Sequence, residues 1–263
     1  GQELQIQNVT AEIAEIAVEQ TALSVPPWSS ANIDFTFTPT NTGQITGQIT
    51  VQTSASATAE TITVTAEVLQ PLETKSRVLQ LDGDGDYIVV QDSNTLFTNV
   101  PFTVETWFNM ETIASDWYTV IGNDEYEIHL DRNSRISVWD NGAGTLTGHQ
   151  TIESNRWYHV AFVNDGQSRR IYLNGLLDVE ANDASALKDA VQQLWIGNDP
   201  APPNRHFNRL VDEVRVWNIA RSAEEIRNNM TQHLTGGEDG LVGYWNFDQG
   251  VAMDASGNDN HGA

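Results

Sequence analysis

At 263 residues, with eight tryptophans and ample Val, Ile and Leu, the chain is long enough for one large β-domain or two ordinary ones and is not a disordered tract. Thirteen Lys+Arg against 36 Asp+Glu give a formal charge of −23, which excludes nucleic acid and anionic lipid as partners, since both are held by basic patches. The absence of cysteine excludes disulfides, thiolate metal sites and cysteine nucleophiles, and no apolar run approaches membrane-spanning length, so no direct membrane insertion is expected.

The first stretch, residues 1–73, is rich in Thr, Ala, Ser, Gln and Val. It alternates apolar and polar residues in Ile33-Asp34-Phe35-Thr36-Phe37, Ile45-Thr46-Gly47-Gln48-Ile49-Thr50-Val51 and Glu60-Thr61-Ile62-Thr63-Val64. Short alternating strands of this kind predict an antiparallel sandwich. Between two of them, Pro39-Thr40-Asn41-Thr42-Gly43 supplies a fixed φ and a positive-φ position, the chemistry of a turn. Phe37-Thr38-Pro39, then Gly43, Gly47 and an Ile/Val strand, resembles the immunoglobulin-like repeats of the Hydin type. The resemblance implies that this is the back half of a sandwich. Phe35, Phe37, Ile49, Val51, Ile62 and Val64 should then face a core lacking part of its cover, and an open strand edge would be a pairing liability. A complete small sandwich of unusual topology is the alternative. Gln70-Pro71-Leu72-Glu73-Thr74-Lys75-Ser76 reads as a short linker.

From Val78 onward strand signals recur at intervals of about 8–15 residues, as in a two-sheet jelly roll. Asn174-Gly175 after Ile171-Tyr172-Leu173 is a hairpin turn, and Ser222 with Glu225 is a capping box opening one short helix. Leu81-Asp82-Gly83-Asp84-Gly85-Asp86-Tyr87-Ile88-Val89 comes first. Trp157-Tyr158-His159-Val160-Ala161, Ile171-Tyr172-Leu173-Asn174-Gly175 and Leu210-Val211-Asp212-Glu213-Val214-Arg215-Val216-Trp217 follow in that order. Together they resemble a laminin-G-like domain of the concanavalin-A-like lectin/glucanase jelly-roll type found in bacterial extracellular proteins. The resemblance covers Leu81 to the C-terminus. The expected architecture is all-β, a partial immunoglobulin-like sandwich over 1–73 followed by a jelly roll over 76–263, belonging to a larger secreted or surface protein and trimmed at its C-terminal end.

Asp82, Asp84 and Asp86 alternate through glycines and offer hard oxygens, but the EF-hand pattern fails, with Tyr87 and Ser93 at its glycine and glutamate positions. An acidic turn needing no ion is one reading; the resemblance implies another, a structural calcium held by Asp82 or Asp212. Pentraxins share this fold, and Asn123, Asp124, Asn198 and Asp199 fall where their ligand-bridging calcium would sit. The loop after Asp199 departs from them, being short and proline-rich (Pro200, Pro202, Pro203), and the paired glutamates are missing. Ordinary turn chemistry is the simpler reading of the Asn-Asp pairs.

Glu125, Glu127, His129 and Asp131 alternate and share one strand face, most simply its solvent side. They do not reproduce the Glu-x-Asp-x-x-Glu pattern of retaining glycosidases of related fold, and no nucleophile elbow, zinc motif or phosphate loop occurs. His159 reads as a packing and hydrogen-bonding residue. Of Trp107, Trp117, Trp139 and Trp157, Trp117 and Trp139 are the expected ligand contacts, beside Asp124 and Asp199. The expected function is non-catalytic binding or adhesion, with a glycan first and an extracellular protein second as partner. A glycan hydrolase and a plain spacer are the rivals.

Overall fold

A computed structural model of the protein describes residues 3–38, 43–56, 58–68, 77–91, 96, 100–111, 117–184, 193–199 and 205–263. The chain divides into two compact units, Gly1–Glu73 and Thr74–Ala263. Residues 39–42 of the expected turn over 39–43, and the expected linker over 70–76, lie outside the described residues.

The first unit holds β1 (Leu4–Ala11), β2 (Ile16–Val18), β3 (Leu23–Val25), β4 (Phe35–Phe37), β5 (Gly43–Thr53) and β6 (Glu60–Val68). An antiparallel sheet in the order β3-β1-β5-β6 is accompanied by a two-stranded β2–β4 ladder. Val9, Ile16 and Ile49 are the buried apolar side chains of its core, with Phe37, Val51 and Val64 packed partly against them. Phe35 and Ile62, expected to face that core, are 43% and 55% exposed. Ile62 lies directly across from Ile49 on the edge strand β6, where the apolar cover reaches Val64 but leaves Ile62 exposed.

The second unit is a two-sheet sandwich. One sheet runs in the order β13 (Gly144–Thr151), β12 (Arg135–Asp140), β11 (Tyr126–Leu130), β10 (Tyr118–Gly122), β17 (Gln193–Ile196) and β8 (Ile88–Gln91). The other runs β16 (Leu176–Ala181), β15 (Arg169–Leu173), β14 (Trp157–Asn164), β9 (Phe102–Met110), β18 (Asn208–Trp217) and β19 (Leu241–Trp245), with β7 (Leu79–Asp82) also paired to β18. Alternation sends Tyr126, Ile128 and Leu130 of β11 inward to meet Phe102, Phe108 and Phe162 from the opposite sheet. Asn174 and Gly175 take φ of 50° and 75°, the left-handed pair that a two-residue hairpin requires, and Leu173 faces Leu176 across it. The helix α1 (Ala223–Asn229) opens on the expected box: Ser222 Oγ accepts from the Glu225 N–H at 3.2 Å, and Glu225 Oε2 accepts from the Ser222 N–H at 2.8 Å.

The outward face of the second sheet carries a buried charged layer beneath α1. Arg215 donates from Nη2 to Glu213 Oε2 at 2.5 Å and to the Gln232 carbonyl at 2.6 Å, and from Nη1 to the Asn229 carbonyl at 2.9 Å. Tyr244 donates its hydroxyl to Glu213, and the Trp217 indole donates to Glu105 Oε1 at 3.0 Å. Each carbonyl so bound lies at or just beyond the C-terminal end of α1, so β18 and the helix are joined by buried polar contacts. His159 sits in this layer with its ring 5.4 Å from Trp107. It packs as expected but makes no hydrogen bond through either ring nitrogen.

Removing one member of a buried ion pair strands its partner's charge, which costs about 3–5 kcal/mol, whereas an exposed pair contributes roughly 0–1 kcal/mol. Arg215→Ala should therefore lower the unfolding free energy in urea several-fold more than Arg156→Ala, whose pair with Glu153 is solvated. Equal losses would contradict this account of the layer.

Candidate functional site

The first sheet of the sandwich turns a second polar face outward. Thr119, Glu127, His129, Ser137, Trp139 and Thr145 alternate with the inward apolar residues, and the register sets Glu127 opposite Trp139, His129 opposite Ser137, and Trp139 opposite Thr145. A pocket of about 310 Å³ opens on this face, lined by Trp117, Asn123, Asp124, Glu127, His129, Trp139, Thr145, Asp199 and Arg205.

Two returning segments wall it. After β17 the chain turns at Gly197, whose N–H donates to the Val120 carbonyl at 2.9 Å, and it comes back where the Thr119 N–H donates to the Arg205 carbonyl at 2.9 Å. Those bonds fix Asp199 and Arg205 beside β10. Arg205 Nη1 then donates to Glu127 Oε2 at 2.7 Å and to Asp199 Oδ2 at 3.2 Å, and its guanidinium lies 5.7 Å from the Trp117 ring centre. Thr119 Oγ1 donates to the other oxygen of Glu127. Gly122 stands across from Glu127 because a Cβ there would come within 3.2 Å of the Glu127 backbone and 3.3 Å of its Cγ.

The four alternating residues of β11 do share one face, but it is not solvated: Glu125, Glu127, His129 and Asp131 are 2–5% exposed. The expectation of a solvent side fails because the segments bearing Trp117, Asp199 and Arg205 lie over the strand. Two of the four serve turns. Glu125 accepts from Asn141 Nδ2 at 2.9 Å, and Asp131 accepts from the Asn133 and Arg135 N–H groups at 2.8 and 3.0 Å. The other two, Glu127 and His129, line the pocket.

His129 packs edge-on against Trp117 with ring centres 4.8 Å apart, and neither of its ring nitrogens has a hydrogen-bond partner. Burial first, and the Arg205 charge second, lower its pKa from 6.5 to about 4. The imidazole is thus neutral at physiological pH. Because the folded value lies below the unfolded one, stability is lost as pH falls from about 6.5 to about 4.

The structure brings Asn123, Asp124 and Asp199 of the two expected rim turns to the same pocket, with Trp117 and Trp139 beside them. Asn198 is 7% exposed and its Oδ1 has no hydrogen-bond partner. Asn123 Oδ1 accepts from the Glu125 and Tyr126 N–H groups at 2.8 and 2.9 Å, while its buried Nδ2 finds none. Sequence reasoning missed Arg205 altogether, since no periodicity marks it, and it misplaced Glu127 and His129 at the solvent.

The acidic residues of the opening motif lie elsewhere. The Asp84 N–H donates to Asp82 Oδ1 at 2.7 Å and the Asp82 N–H to Asp86 Oδ2 at 3.3 Å, so these carboxylates close their own turn. Asp82 borders a separate depression with Glu111, Asn208 and Arg209. It pairs with Asn208, four residues along β18 from Asp212 and so about 13 Å away at 3.3 Å per residue. The two cannot share one ion. Asp212 is fully buried, and burial followed by the neighbouring Glu213 charge pushes its carboxyl up to about 8, leaving it protonated at neutral pH.

Calcium takes about six to eight oxygens, favouring ionised carboxylates. Among the described residues no three His, Asp or Glu side chains stand together to hold a metal. Glu127 and Asp199 are engaged by Arg205, and Asn123 Oδ1 by backbone amides. The donors present at the rim do not fit a calcium ion in this arrangement.

Residues 82–227 match the family described as the concanavalin A-like lectin/glucanases superfamily, Laminin_G_3. The chain belongs to that family. The match leaves residues 1–73 uncovered, so the immunoglobulin-like resemblance there rests on its motif alone. A proposed carbohydrate-binding protein from Bacteroides ovatus has a similar fold: TM-score 0.59 at 17% identity, covering 99% of this chain and 85% of that one. Human pappalysin-1 is 23% identical over 94 residues, which are 34% of this chain and 6% of that relative's length. A heptameric SAP-like pentraxin from Limulus polyphemus gives a TM-score of 0.40 at 12% identity, covering 54% of this chain and 80% of that one, too distant to bear on the rim.

A proton-titration experiment follows from the buried imidazole. The His129 ring resonances followed by NMR should titrate with a midpoint near 4, not near 6.5. A midpoint at the ordinary value would mean that the pocket floor is open to water.

Proposed function

We propose that the chain is a non-catalytic carbohydrate-binding module of a larger extracellular protein, and that its glycan sits in the pocket over β10, β11 and β12. The observation that carries this reading is the pairing of Trp139, 37% exposed, with a wall of fixed polar groups (Asn123, Glu127, His129, Asp199) on a rigid sheet. An indole face supplies apolar area to a sugar ring, while flanking donors and acceptors read its hydroxyls. A similar fold in a proposed carbohydrate-binding protein agrees with the reading without establishing it. The surplus of acidic residues and the lack of basic patches suit a soluble surface module and oppose nucleic-acid binding.

Glycoside hydrolysis needs an acid and a second carboxylate flanking the scissile bond. Here Glu127 and Asp199 share one guanidinium nitrogen, an arrangement that positions rather than reacts. A polysaccharide panel incubated with the protein should therefore show retention and no turnover; released reducing ends would favour the hydrolase reading.

Trp139→Ala should reduce glycan-array binding by at least about tenfold, on the order of 1.4 kcal/mol, in a protein that stays folded, because this side chain lies on the outward face and not in the core. Unchanged binding would place the ligand elsewhere. Chelation should leave binding intact, since Arg205 already holds the carboxylates that an ion would need; chelator-sensitive binding would restore calcium to the site.

A further inference from the structure

The charge of the pocket selects among glycans. Its lining holds three carboxylates, Asp124, Glu127 and Asp199, against the single guanidinium of Arg205, while His129 is neutral at physiological pH. That guanidinium is engaged by two of the three carboxylates and lies over Trp117, and Asp124 is exposed at the mouth. An incoming carboxylate or sulfate meets a net negative wall inside a molecule of formal charge −23. An incoming ammonium meets the opposite.

Two further groups point to a ligand. His129 is 2% exposed, lines the pocket and has no hydrogen-bond partner on either ring nitrogen. A neutral imidazole offers one acceptor lone pair and one N–H, so it can accept a hydrogen bond from an ammonium and donate one to a hydroxyl. Asn123 is 5% exposed, lines the same pocket and leaves Nδ2 without an acceptor. Buried polar groups left unmatched cost stability, and a ligand that matches them recovers it. Trp139 adds an exposed indole, the side chain whose face attracts a cation most strongly.

We infer that the pocket takes a glycan bearing a protonated amine, an amino sugar with a free ammonium, in preference to its N-acetylated or acidic counterparts, with Asp124, Asp199, His129 and Trp139 around the ammonium. This rests on the reading of the pocket as a glycan site.

The test compares oligosaccharides of one backbone and length. Fully de-acetylated and fully N-acetylated chito-oligomers, with oligogalacturonate as the acidic arm, are titrated into the whole chain calorimetrically. Mildly acidic pH keeps the amines protonated and His129 neutral. De-acetylated oligomers should bind at least about tenfold more tightly than the N-acetylated ones, and oligogalacturonate should not bind; added salt should erode the difference. Asp124→Asn, which leaves the Arg205 contacts in place, should shrink the ratio of the two chito-oligomer affinities at least about threefold, and an unchanged ratio counts against the inference. Equal affinity for the two chito-oligomers, or tighter binding of the acidic chain, overturns the inference and leaves the glycan site standing. Failure of every oligomer to bind, with a neutral glycan panel also silent, overturns the site itself and the inference with it.

Discussion

The guanidinium of Arg205 is the contact on which the site depends. It reaches Glu127 on the sheet and Asp199 on the returning segment through one nitrogen, and it lies over Trp117. Without it, two carboxylates would face each other over a buried strand, where like charges repel and ionised groups are costly to desolvate. With it, the segment that leaves β17 is drawn over β10 and β11, and a pocket exists where an open sheet face would otherwise meet solvent. Burial first, and the Arg205 charge second, lower the basicity of His129 and so keep its ring neutral on the pocket floor.

Both sheets of the sandwich thus bury ionisable groups on their outward faces, with different outcomes. Around Arg215 the layer is closed by the end of α1, whose free carbonyls accept the guanidinium protons, and the charges are compensated from within the chain. Around Arg205 closure is partial, and His129 and Asn123 keep unmatched polar atoms. Unmatched polar atoms occur in both layers, His159 and Glu105 Oε2 among them around Arg215, so the difference is access: the layer under α1 is covered, while the one around Arg205 borders a pocket that a ligand can enter. The contrast separates two clusters that look equally charged in the sequence.

Much of the fold was legible because its signals are local. The Asn174-Gly175 hairpin, the Ser222–Glu225 box and the alternation of Tyr126, Ile128 and Leu130 depend on neighbouring residues, and each appears where the pattern puts it. The convergence of Asp124 and Asp199 followed from family resemblance and not from spacing. What could not be read was set by register and by loop return. Asp82 and Asp212 sit on strands that do pair, yet a four-residue offset keeps them apart. Glu127 and His129 look solvated until the chain around Arg205 folds back on them. Arg205 follows a proline-rich stretch with no period to mark it. In the first unit, alternation placed Ile62 on the face it occupies but could not say that the cover would reach Val64 and not Ile62.

The central claim is that a ligand enters between the Arg205 segment and the outward face of the first sheet. Mapping ligand-induced shifts of the tryptophan indole N–H resonances tests it directly, because the indoles are distributed over both sheets. The account predicts that Trp117 and Trp139 move on addition of a bound glycan. Trp107, Trp217 and Trp245, whose indole N–H groups are tied to Met230, Glu105 and Asn260, should stay fixed. Shifts confined to those three, with Trp117 and Trp139 silent, would contradict it.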